Sequence, residues 1–484
     1  MMYKFDTKVQ LIKYKVLREV ARAAFENRLL DSISDIPKKI ALGPKSTMRC
    51  CVYKERAILT ERIKLAMGGN KDNANIVEVI DIACDECPVS GHVVSDACRG
   101  CIAHRCKDVC PRDAIWFDEK QKAHIDKARC IECGKCAQVC PYSAIQNQRR
   151  PCELACKVKA ISMREDYAAA IDNDKCIACG ACVYQCPFGA ISDKSYILEV
   201  IDLLKKRLRG CGGKLYAVVA PAISTQFTYA KLGQVISGIK ALGFDEIVEA
   251  ALGADMIAIR EAAELVEKGF LTTSCCPAFV KYVKSQFPEL AEHVSDNLSP
   301  AAAIGEHIKQ TDPTARIVFV GPCTAKKLEF REPHTRMPDG SPIIDSVLTF
   351  EELQALFDSR DIDISGMEET VLDDASYYGR IFARSCGVSE AVQQSLSEQG
   401  IETEFRPVPC DGIEACRTAL LKKLRGVLDG NFVEGMACSG GCIGGAGCLT
   451  HGNRDRAALE KHGRDAAEKT ILEAISVLEN GSER

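Results

Sequence analysis

The sequence predicts an α+β multi-domain protein in which a cysteine-rich part precedes a larger α/β part. The chain has 484 residues, which is enough for two to four domains. Of its 28 cysteines, 16 lie between residues 84 and 191, where a short cysteine motif repeats. From about Lys214 onward, short apolar runs alternate with amphipathic stretches, as strands and helices do in an α/β domain.

The composition narrows the class of protein. A net charge of −4 gives no argument for nucleic acid binding. No apolar run approaches the ~20 residues that span a bilayer, and the first residues, MMYKFDTKVQ, lack the apolar core of a signal peptide. We therefore expect a cytoplasmic protein with neither nucleic acid nor a membrane as a partner. In that compartment, cysteines are metal ligands more often than disulfides.

The first segment, residues 1–75, is predicted to be helical. An apolar stripe at helical spacing runs through Val9, Ile12, Val16, Val20 and Ala24. Residues 1–70 hold 15 Lys/Arg against 7 Asp/Glu. Contact with an acidic partner is one interpretation of this charge, and a solvated helix face is the simpler one. Nothing in this segment points to chemistry, and Cys50 and Cys51 have no assigned role.

Residues 76–195 consist of duplicated half-modules. A cysteine followed by three residues and Ala-Ile occurs four times, beginning at Cys110, Cys140, Cys156 and Cys186. A longer unit that contains Cys-x-x-Cys-x-x-Cys ends at Cys136 and again at Cys182, 46 residues later.

Two cysteine runs match those of bacterial ferredoxins. Each reads Cys-x-x-Cys-x-x-Cys-x-x-x-Cys-Pro, and in such pairs the fourth cysteine binds the cluster of the other run. Zinc is the alternative, but zinc motifs seldom carry three cysteines at this spacing followed by Cys-Pro. The runs predict one [4Fe–4S] cluster at Cys130, Cys133, Cys136 and Cys186, and a second at Cys176, Cys179, Cys182 and Cys140.

A degenerate second pair of runs surrounds and interleaves with the first. One half is complete, whereas the other lacks its leading cysteines, which an upstream Cys-x-x-Cys supplies. The predicted third cluster uses Cys98, Cys101, Cys106 and Cys156, and the fourth uses Cys84, Cys87, Cys110 and Cys152. Two alternatives stay open: His92 or His104 replaces a ligand, or the fourth site is empty.

Residues 210–453 are predicted to form the α/β domain. LYAVVAPAI (215–223) and ARIVFVGPC (315–323) are short, apolar and ended by Pro or Gly, which is typical of buried strands. GIKALGFDEIVEAALGADM and IREAAELVEKG are predicted as helices between strands, so mainly parallel pairing is expected. Residues 454–484 are predicted to form a charged C-terminal helix.

Three cysteine motifs lie in this domain: TTSCCPAF (272–279), VGPCTAKKLEF (320–330) and EGMACSGGCIGGAGCLTH (434–451). Sites in open α/β sheets form at the carboxyl ends of strands, so we expect the three loops to meet at a buried metal centre. The glycines of the third motif allow close approach to a bulky group. A further [4Fe–4S] cluster would take its four thiolates from Cys276, Cys323, Cys438 and Cys442.

In the same order, the three motifs resemble the signatures of the [FeFe]-hydrogenase catalytic domain, over roughly residues 214–453. The cysteine-rich segment resembles the accessory domains of that family, and the match is closest to its B-type branch. The resemblance implies a two-lobed α/β domain with the active site between the lobes, and the reaction 2H⁺ + 2e⁻ ⇌ H₂. It implies an H-cluster, a [4Fe–4S] cluster joined to a diiron unit that carries CO, cyanide and azadithiolate. Implied partners are a ferredoxin-like carrier and hydrogenase maturation proteins.

The resemblance also gives the motif cysteines separate roles. Cys276, Cys323 and Cys438 would bind the cubane alone, and Cys442 would bind it and bridge to the diiron unit. Cys275 would exchange protons with the azadithiolate amine. The neighbouring side chains of Cys275 and Cys276 diverge, so they rarely bind one metal atom together.

Other residues near the motifs follow from the same resemblance. Lys326 would donate a hydrogen bond to a cyanide, and Met436 would pack beside the diiron unit. Pro221 matches the strand-end proline whose neighbourhood faces the other cyanide. Gly321 and Phe279 depart from the usual Met and Trp, which affects rate and oxygen response more than the reaction itself.

A proton relay is the last implied feature. Glu261 and Glu264 are three residues apart and share one helix face, and both match relay glutamates of the family. Ser295 matches the serine between them, and Lys268 stands where an outer Arg is usual.

Three functions stay open at this point: a catalytic hydrogenase, a hydrogen sensor with low turnover, and a non-catalytic scaffold for iron–sulfur assembly. The chain has no length to spare for an added sensory domain, and the intact motifs favour catalysis. Cys386 and Cys448 are extra thiols, for which apolar packing is the simpler interpretation.

Overall fold

The computed structural model describes residues 4–480, so residues 481–484 of the predicted C-terminal helix lie outside the described residues. Helix α1 begins at a capping box, in which the Thr7 side chain accepts from Gln10 N and the Gln10 side chain accepts from Thr7 N. No helix within residues 4–480 has both the length and the apolar character needed to cross a bilayer. The N-terminal helices are α1 (Lys8–Phe25), α2 (Leu29–Ser32), α3 (Ile36–Ile40) and α4 (Val52–Ala66).

Short strands and helices build the cysteine-rich region. They are β1 (Val77–Val79), β2 (Gly91–Val94), α5 (Arg105–Asp108), β3 (Ile115–Phe117), β4 (Ala123–Ile125), α6 (Lys135–Val139), β5 (Ile145–Gln148), α7 (Pro151–Ala155), β6 (Ile161–Met163), β7 (Ala169–Ile171), α8 (Ala181–Gln185) and β8 (Ile191–Asp193). The strands form four antiparallel pairs: β1 with β8, β2 with β5, β3 with β4, and β6 with β7.

These pairs define two modules, which we call outer and inner. In sequence, the outer module is inserted between the two parts of the inner module. Strands β2 and β5 close the outer module, residues 91–148, which contains β3 and β4. Strands β1 and β8 close the inner module, residues 77–87 and 150–193, which contains β6 and β7. The chain therefore leaves the inner module after Cys87, completes the outer module, and returns at Pro151.

Each Cys-x-x-x-Ala-Ile copy forms the same turn. In the copies that begin at Cys110, Cys156 and Cys186, the Ala N–H donates to the cysteine sulfur, for example from Ala114 N to Cys110 Sγ over 3.3 Å and from Ala190 N to Cys186 Sγ over 3.2 Å. The alanine is buried and the isoleucine opens a strand. The repeat thus fixes a cysteine sulfur against the backbone. The residue before each alanine has a left-handed φ of 46° to 57°: Asp113, Ser143, Lys159 and Gly189.

The α/β region and the C-terminal helices follow. Their elements are α9 (Ile197–Leu208), β9 (Leu215–Val219), α10 (Leu232–Leu242), β10 (Glu246–Glu249), α11 (Ala250–Lys268), β11 (Leu271–Thr272), α12 (Pro277–Gln286), α13 (Pro300–Thr311), β12 (Arg316–Val320), α14 (Lys326–Glu329), β13 (Ser346–Leu348), α15 (Phe350–Ser359), α16 (Tyr377–Ile381), α17 (Gly387–Glu398), β14 (Pro407–Asp411), α18 (Ile413–Leu424), β15 (Phe432–Met436), α19 (Asp455–Arg464) and α20 (Ile471–Asn480).

The α/β region has two lobes, each built on a parallel sheet. One sheet has the order β10-β9-β12-β13 and the other β11-β15-β14, and every neighbouring pair is parallel. Strands β9, β12, β13 and β15 are mostly apolar and buried, whereas the edge strands β10 and β14 are partly exposed. The predicted α+β class and the mainly parallel pairing are confirmed.

Two local predictions were wrong. The stretch GIKALGFDEIVEAALGADM was predicted as helix, but Gly243, with φ 116°, ends α10, and a strand, β10, precedes α11. Helical spacing of the apolar residues hides this break. The predicted C-terminal helix is two helices, α19 and α20, because Thr470 accepts from Glu473 N and starts a new helix.

A buried network of charges joins the N-terminal helix, the inner module and the α/β region. Lys13 Nζ on α1 lies 2.5 Å from Asp193 Oδ1 and 2.6 Å from Glu351 Oε2. Lys327 Nζ lies 2.8 Å from both Asp193 Oδ2 and Glu352 Oε1. We call these five residues the ionic junction. It shows that some of the positive charge in the N-terminal segment neutralises acidic groups of the chain itself.

Candidate functional site

The three cysteine motifs meet at one enclosed cavity between the lobes. They follow β11, β12 and β15, so the carboxyl ends of strands from both sheets face it. Apart from its thiols and Met436, the cavity wall is mainly Ala, Gly and Pro, which leaves room for a bulky group. The thiols that line it are those of Cys276, Cys323, Cys438, Cys442 and Cys179.

The thiols of the cavity influence one another. Burial, together with the nearby Cys323 and Cys276 thiols, raises the pKa of Cys442 to about 12. The Lys326 ammonium acts in the opposite direction on these three thiols. A cation beside buried thiols favours thiolates, the form that binds metal.

Lys326 is held beside the cavity by contacts that the sequence analysis missed. Its Nζ forms an ion pair with Glu329 Oε2 at 2.7 Å, and both side chains are buried. The ammonium also lies near the rings of Phe319 and Phe330. The i, i+3 spacing of Lys and Glu in KKLE was the available signal. Pro221 opens the short 3₁₀ turn after β9 and is not among the described residues that line the cavity.

Cys275 is placed apart from its neighbour Cys276. Both thiols pack against the apolar cluster beneath α11, but of the two only Cys276 is among the described residues that line the cavity. Burial raises the pKa of the Cys275 thiol well above its usual value, and the Glu261 carboxyl raises it further. The two side chains diverge, and Cys275 keeps its proton next to a carboxyl group.

A set of neighbouring polar side chains leads from Cys275 towards the surface. Glu261 is fully buried, and Ser274 N donates to its Oε1 over 3.3 Å. Ser295 lies close enough to Glu261 to influence its pKa, and its Oγ donates to Glu264 Oε2 over 2.7 Å. Because a hydroxyl has one proton, Ser295 serves one carboxyl at a time, and Glu261 Oε2 has no hydrogen-bond partner among the described residues. The set runs Cys275, Glu261, Ser295, Glu264.

The outer end of this set is open to solvent. Lys268 Nζ lies 2.6 Å from Glu264 Oε1 and 2.7 Å from Asp296 Oδ2, and the Asp296 side chain is 86% exposed. Asn297 Nδ2 donates to Glu264 Oε2 over 2.7 Å and to Ser295 Oγ over 3.1 Å. Asn297 was not predicted from the sequence, although it stands two residues after Ser295.

The buried state of Glu261 gives a prediction for stability. Burial raises its pKa from 4.5 to about 8. At a pH between these two pKa values, the Glu261 carboxyl is ionised in the unfolded chain and protonated in the folded protein. The free energy of unfolding therefore falls by about 1.4 kcal/mol per pH unit as pH rises. Glu261→Gln abolishes this loss. We expect its advantage in melting temperature over wild type to grow from pH 5 to pH 8 and then level off.

The matched control is Glu267→Gln, an exposed residue on the same helix. Its melting temperature should follow wild type at every pH. A constant difference between Glu261→Gln and wild type across this range would contradict the buried, protonated carboxyl.

The cysteines of the outer module form two groups. An enclosed space is lined by Cys110, Cys130, Cys133 and Cys136, together with His92. The second group is indicated by Cys106, whose pKa is raised first by burial and also by Cys101 and Cys140. Cys98 is the one cysteine of the module that these two observations leave unassigned. The second group is therefore Cys98, Cys101, Cys106 and Cys140.

The cysteines of the inner module form two further groups. Burial, with the nearby Cys186 and Cys84 thiols, raises the pKa of Cys152 to about 12, and the same two thiols act on Cys87. Burial raises the pKa of Cys179 to about 12, and its nearest thiols are Cys176 and Cys156. The groups are Cys84, Cys87, Cys152 and Cys186, and Cys156, Cys176, Cys179 and Cys182.

This grouping corrects the predicted pairing of the runs. The sequence analysis combined Cys186 with the run that begins at Cys130, but Cys186 lies with Cys84 and Cys87. It combined Cys110 with Cys84, but Cys110 lines the space formed by the Cys130 run. The two similar runs are neighbours in sequence and belong to different modules, because the outer module is inserted into the inner one.

The inner module contacts the wall of the cavity. Thr324 Oγ1 donates to Ala178 O over 2.7 Å. A Cβ atom on Gly180 would lie 2.5 Å from Ala446 Cβ and 2.7 Å from Thr324 Oγ1, so only glycine fits. Cys179, which lies between Ala178 and Gly180 in the sequence, lines the cavity itself. The group that contains Cys179 is therefore the one next to the cavity.

Within residues 4–480, no three His, Cys, Asp or Glu side chains converge as ligands of a single metal ion would. An iron–sulfur cluster is larger than one ion, so its thiolates stand further apart. Each group has four thiols, the number that binds one [4Fe–4S] cluster.

The extra thiols lie outside these groups. Cys448 is fully buried in the apolar core, and Cys386 is half-buried at the start of α17 with φ 73°. Cys386 N and Ser389 N donate to the buried carboxylate Glu434, a residue that the sequence analysis missed although a charge inside an apolar strand was its signal. Cys50 is exposed near the start of α4.

Three family models match segments of the chain. Residues 213–446 match the iron only hydrogenase large subunit, C-terminal domain. Residues 97–144 match a 4Fe-4S dicluster domain and residues 169–192 a 4Fe-4S binding domain. The dicluster match falls within the outer module and contains all eight of its cysteines, in agreement with the corrected grouping.

Individual proteins show the same similarity. The chain is 28% identical over 399 residues to Iron hydrogenase 1 of Clostridium pasteurianum, covering 71% of this chain and 68% of that protein. It is 29% identical over 386 residues to the periplasmic [Fe] hydrogenase large subunit of Nitratidesulfovibrio vulgaris, covering 68% and 87%. A stretch of 143 residues is 32% identical to the cytosolic Fe-S cluster assembly factor NAR1 of Eremothecium gossypii, covering 28% and 31%.

A solved [FeFe]-hydrogenase shares the fold, with a TM-score of 0.50 at 19% identity over 59% of this chain and 94% of that one. The family models together account for both the α/β region and the cysteine-rich modules. The chain is therefore a [FeFe]-hydrogenase-like protein with ferredoxin-type 4Fe-4S accessory domains.

Proposed function

We propose that this protein is a hydrogenase that catalyses 2H⁺ + 2e⁻ ⇌ H₂ at an H-cluster in the cavity. The observation that carries the proposal is the polar set from Cys275 through Glu261, Ser295 and Glu264 to the surface. Turnover needs a route for protons, whereas a protein that only holds or delivers clusters does not.

The residues of the cavity fit this cofactor. Cys276, Cys323 and Cys438 would hold the cubane and Cys442 would bridge it to the diiron unit, since all four line one space. The buried Lys326 ammonium would donate to a cyanide, which suits an anionic ligand. When bound, the H-cluster supplies the redox-active iron at which protons and electrons combine.

Two further residues are proposed to contact the diiron unit. Met436 lines the cavity with an apolar, adaptable side chain. Pro221 lies at the end of β9, and its neighbour Ala220 packs against Gly321 of the second motif. We place Pro221 beside the second cyanide on the family resemblance alone.

The chain's own groups handle the proton. Cys275 retains a proton because burial raises its pKa, and it faces the Glu261 carboxyl. Glu261, whose pKa is about 8, is protonated at neutral pH and has one oxygen free to exchange. The Ser295 hydroxyl accepts from one carboxyl and donates to the other, and Glu264 exchanges with solvent beside Lys268.

Electrons would reach the cavity through the four cysteine groups. The group that contains Cys179 is next to the cavity, and Cys182 connects it to Cys152 of the second inner group. The outer module continues the path away from the active site. Four accessory [4Fe–4S] clusters in this order form a single-electron path to a ferredoxin-like carrier.

The corrected grouping makes a prediction about shared clusters. Cys110→Ser should alter the same EPR signal as Cys133→Ser, and Cys186→Ser the same signal as Cys84→Ser. The reason is that two ligands of one cluster perturb the same unpaired electron. The intact protein should hold about sixteen accessory irons, four for each cluster. If Cys186→Ser instead reproduced the effect of Cys133→Ser, the grouping from sequence would be restored.

A second candidate function has a specific observation in its favour. The similarity to NAR1, an Fe-S cluster assembly factor, covers a shorter stretch of the chain at slightly higher identity than the hydrogenases do. An iron–sulfur assembly scaffold would need the cysteine groups, but it would not need the polar set from Cys275 to Glu264. A low-turnover hydrogen sensor is the third candidate.

One experiment separates the three. The protein is matured with a synthetic diiron cofactor, and hydrogen evolution is measured beside infrared bands of CO and cyanide. Bands with turnover are the expected result. Bands without turnover would favour a sensor, and the absence of bands would favour a scaffold.

The proposed partners follow from the reaction. Hydrogen and protons are the substrates, and a ferredoxin or similar small carrier exchanges electrons. Maturation proteins assemble the diiron unit, and we place the protein in the cytoplasm, without nucleic acid or membrane partners.

A further inference from the structure

One of the four cysteine groups has a buried cation at its edge. Arg150 is 1% exposed, and no other Lys or Arg within residues 77–193 is buried. Its Nε donates over 3.1 Å to Pro88 O, in the residue that follows Cys87. Burial raises the pKa of Cys87, and the Arg150 guanidinium opposes this rise, so the cation lies beside the thiol. We call this group the Cys84 group, and its members are Cys84, Cys87, Cys152 and Cys186.

The charge of Arg150 has no carboxylate partner within residues 4–480. Its Nη2 contacts Met163 Sδ over 3.2 Å, and its Nη1 is buried with no hydrogen-bond partner among the described residues. A guanidinium in the interior is costly unless a negative group lies next to it. The four thiols of the Cys84 group would hold such a group, an anionic iron–sulfur cluster, and Nη1 is a free donor that fits it.

A second buried cation approaches the same group from the N-terminal segment. Arg62 on α4 is 7% exposed, and its Nη2 donates to Gly189 O over 2.7 Å and to Phe188 O over 3.3 Å. Both carbonyls belong to the turn that follows Cys186. Burial lowers the pKa of Arg62 to about 10, so the guanidinium is charged at neutral pH, and it forms no ion pair within residues 4–480. The basic N-terminal segment thus contributes a charge to this group.

The carboxylates near the Cys84 group are more exposed than these two arginines. The side chains of Asp85 and Glu86 are 42% and 51% exposed, and Arg49 forms ion pairs with both. Glu153 is half-buried and acts against Arg150 at the Cys87 thiol. Water screens exposed charges, whereas buried charges act through a lower dielectric. The two buried arginines therefore outweigh the carboxylates at this group.

The other inner group has no buried cation of this kind. Burial raises the pKa of Cys179 to about 12, as it does that of Cys152, but the strongest charged influences on Cys179 are other thiols. The two groups therefore share burial and differ in the charge beside them. We call this second group the Cys179 group, and its members are Cys156, Cys176, Cys179 and Cys182.

We propose that the cluster of the Cys84 group has a higher reduction potential than the cluster of the Cys179 group, and that it stores one electron for the active site. The inference rests on the proposed function and adds Arg150 and Arg62 as positioning residues. Reduction adds one negative charge to a cluster, so buried cations and a donor to its sulfur stabilise the reduced form. The electron arrives from the outer module and leaves to the Cys179 group. A store suits a reaction that uses two electrons, because each cluster passes one at a time.

Redox titration of the full-length holoprotein, followed by EPR, tests the order of the two potentials. Cys84→Ser and Cys176→Ser identify the signal of each group, since each alters a ligand of one cluster. In the wild type we expect the signal of the Cys84 group to appear at the higher potential. Equal midpoints, or the reverse order, would overturn the proposal.

Arg150→Gln tests the cause of that order. Loss of the charge should make the reduced cluster of the Cys84 group about tenfold less stable, which lowers its midpoint by about 59 mV for a one-electron couple. Arg62→Gln should lower the same midpoint, and Arg150→Lys should recover part of the loss. The matched control is Arg164→Gln, which removes an exposed, ion-paired arginine of the same module and should leave the midpoint unchanged.

Iron content is measured in every variant, because Arg150 stands two residues from Cys152. An unchanged midpoint in Arg150→Gln with all its iron would contradict the role of the arginine. If that variant loses about four irons, Arg62→Gln decides the role of charge, and the wild-type order decides the proposal in every case. The titration needs no hydrogen turnover. A holoprotein that shows the expected order but evolves no hydrogen with methyl viologen would remove the proposed function and keep the order of potentials.

Discussion

Cys275→Ala should abolish most hydrogen turnover while leaving the cofactor in place. We expect a loss on the order of 10²–10³-fold, the range for a group that transfers protons in the reaction. Cys275 is buried beside Glu261 and does not line the cavity, so its removal interrupts the proton route without removing a metal ligand. Hydrogen evolution with reduced methyl viologen measures the loss, and infrared bands of CO and cyanide measure retention.

Cys276→Ala is the matched control, because it changes the adjacent thiol by the same atoms. Cys276 lines the cavity, so this variant should lose iron and the infrared bands together. If Cys275→Ala loses the bands and Cys276→Ala keeps them, the roles of the two cysteines are reversed. If both keep the bands and full turnover, neither role holds.

Lys327→Met should be the most destabilising single substitution in the ionic junction. Lys327 is fully buried and neutralises Asp193 and Glu352, and Met replaces its volume without its charge. Glu352 would then have no ion-pair partner among the described residues, and Asp193 would keep Lys13 alone. Breaking a buried ion pair costs about 3–5 kcal/mol, because a charge is left in the interior without a partner. Urea denaturation followed by circular dichroism measures the shift.

Two comparisons make this test specific. Lys38→Met removes an exposed ion pair with Asp35 and should cost no more than about 0.5 kcal/mol. Lys327→Met/Glu352→Gln removes the unpaired carboxylate as well and should recover some of the loss. A Lys327→Met midpoint equal to that of Lys38→Met would show that the junction contributes little.

Features carried by local spacing were predictable from the sequence. The three motifs end strands, and the carboxyl ends of strands converge, so the meeting of Cys276, Cys323, Cys438 and Cys442 followed from where they stand. The two glutamates of α11 share a face because they are three residues apart. Both features depend only on the periodicity of a helix or on the parallel direction of the strands in a sheet.

Features carried by distant contacts were not predictable. The predicted groups of Cys110 and Cys186 were interchanged. The correct assignment depends on which strands pair across the insertion, and the two similar cysteine runs do not indicate that pairing. Lys13 meets Asp193 and Glu351 far along the chain, so a solvated face was the natural interpretation of the basic N-terminal segment.

The insertion of the outer module sets an order of events during synthesis. The outer module pairs its strands within residues 91–148 and can close as soon as they have been made. Strand β1 of the inner module must wait for β8, since Val77 pairs with Asp193. Once the outer module has closed, Gly91 lies beside Gln148, so the two parts of the inner module are held near each other. This reduces the entropy cost of closing the long loop between β1 and β8. The group that spans the insertion, Cys84, Cys87, Cys152 and Cys186, is thus the last of the four to be gathered by the folding chain.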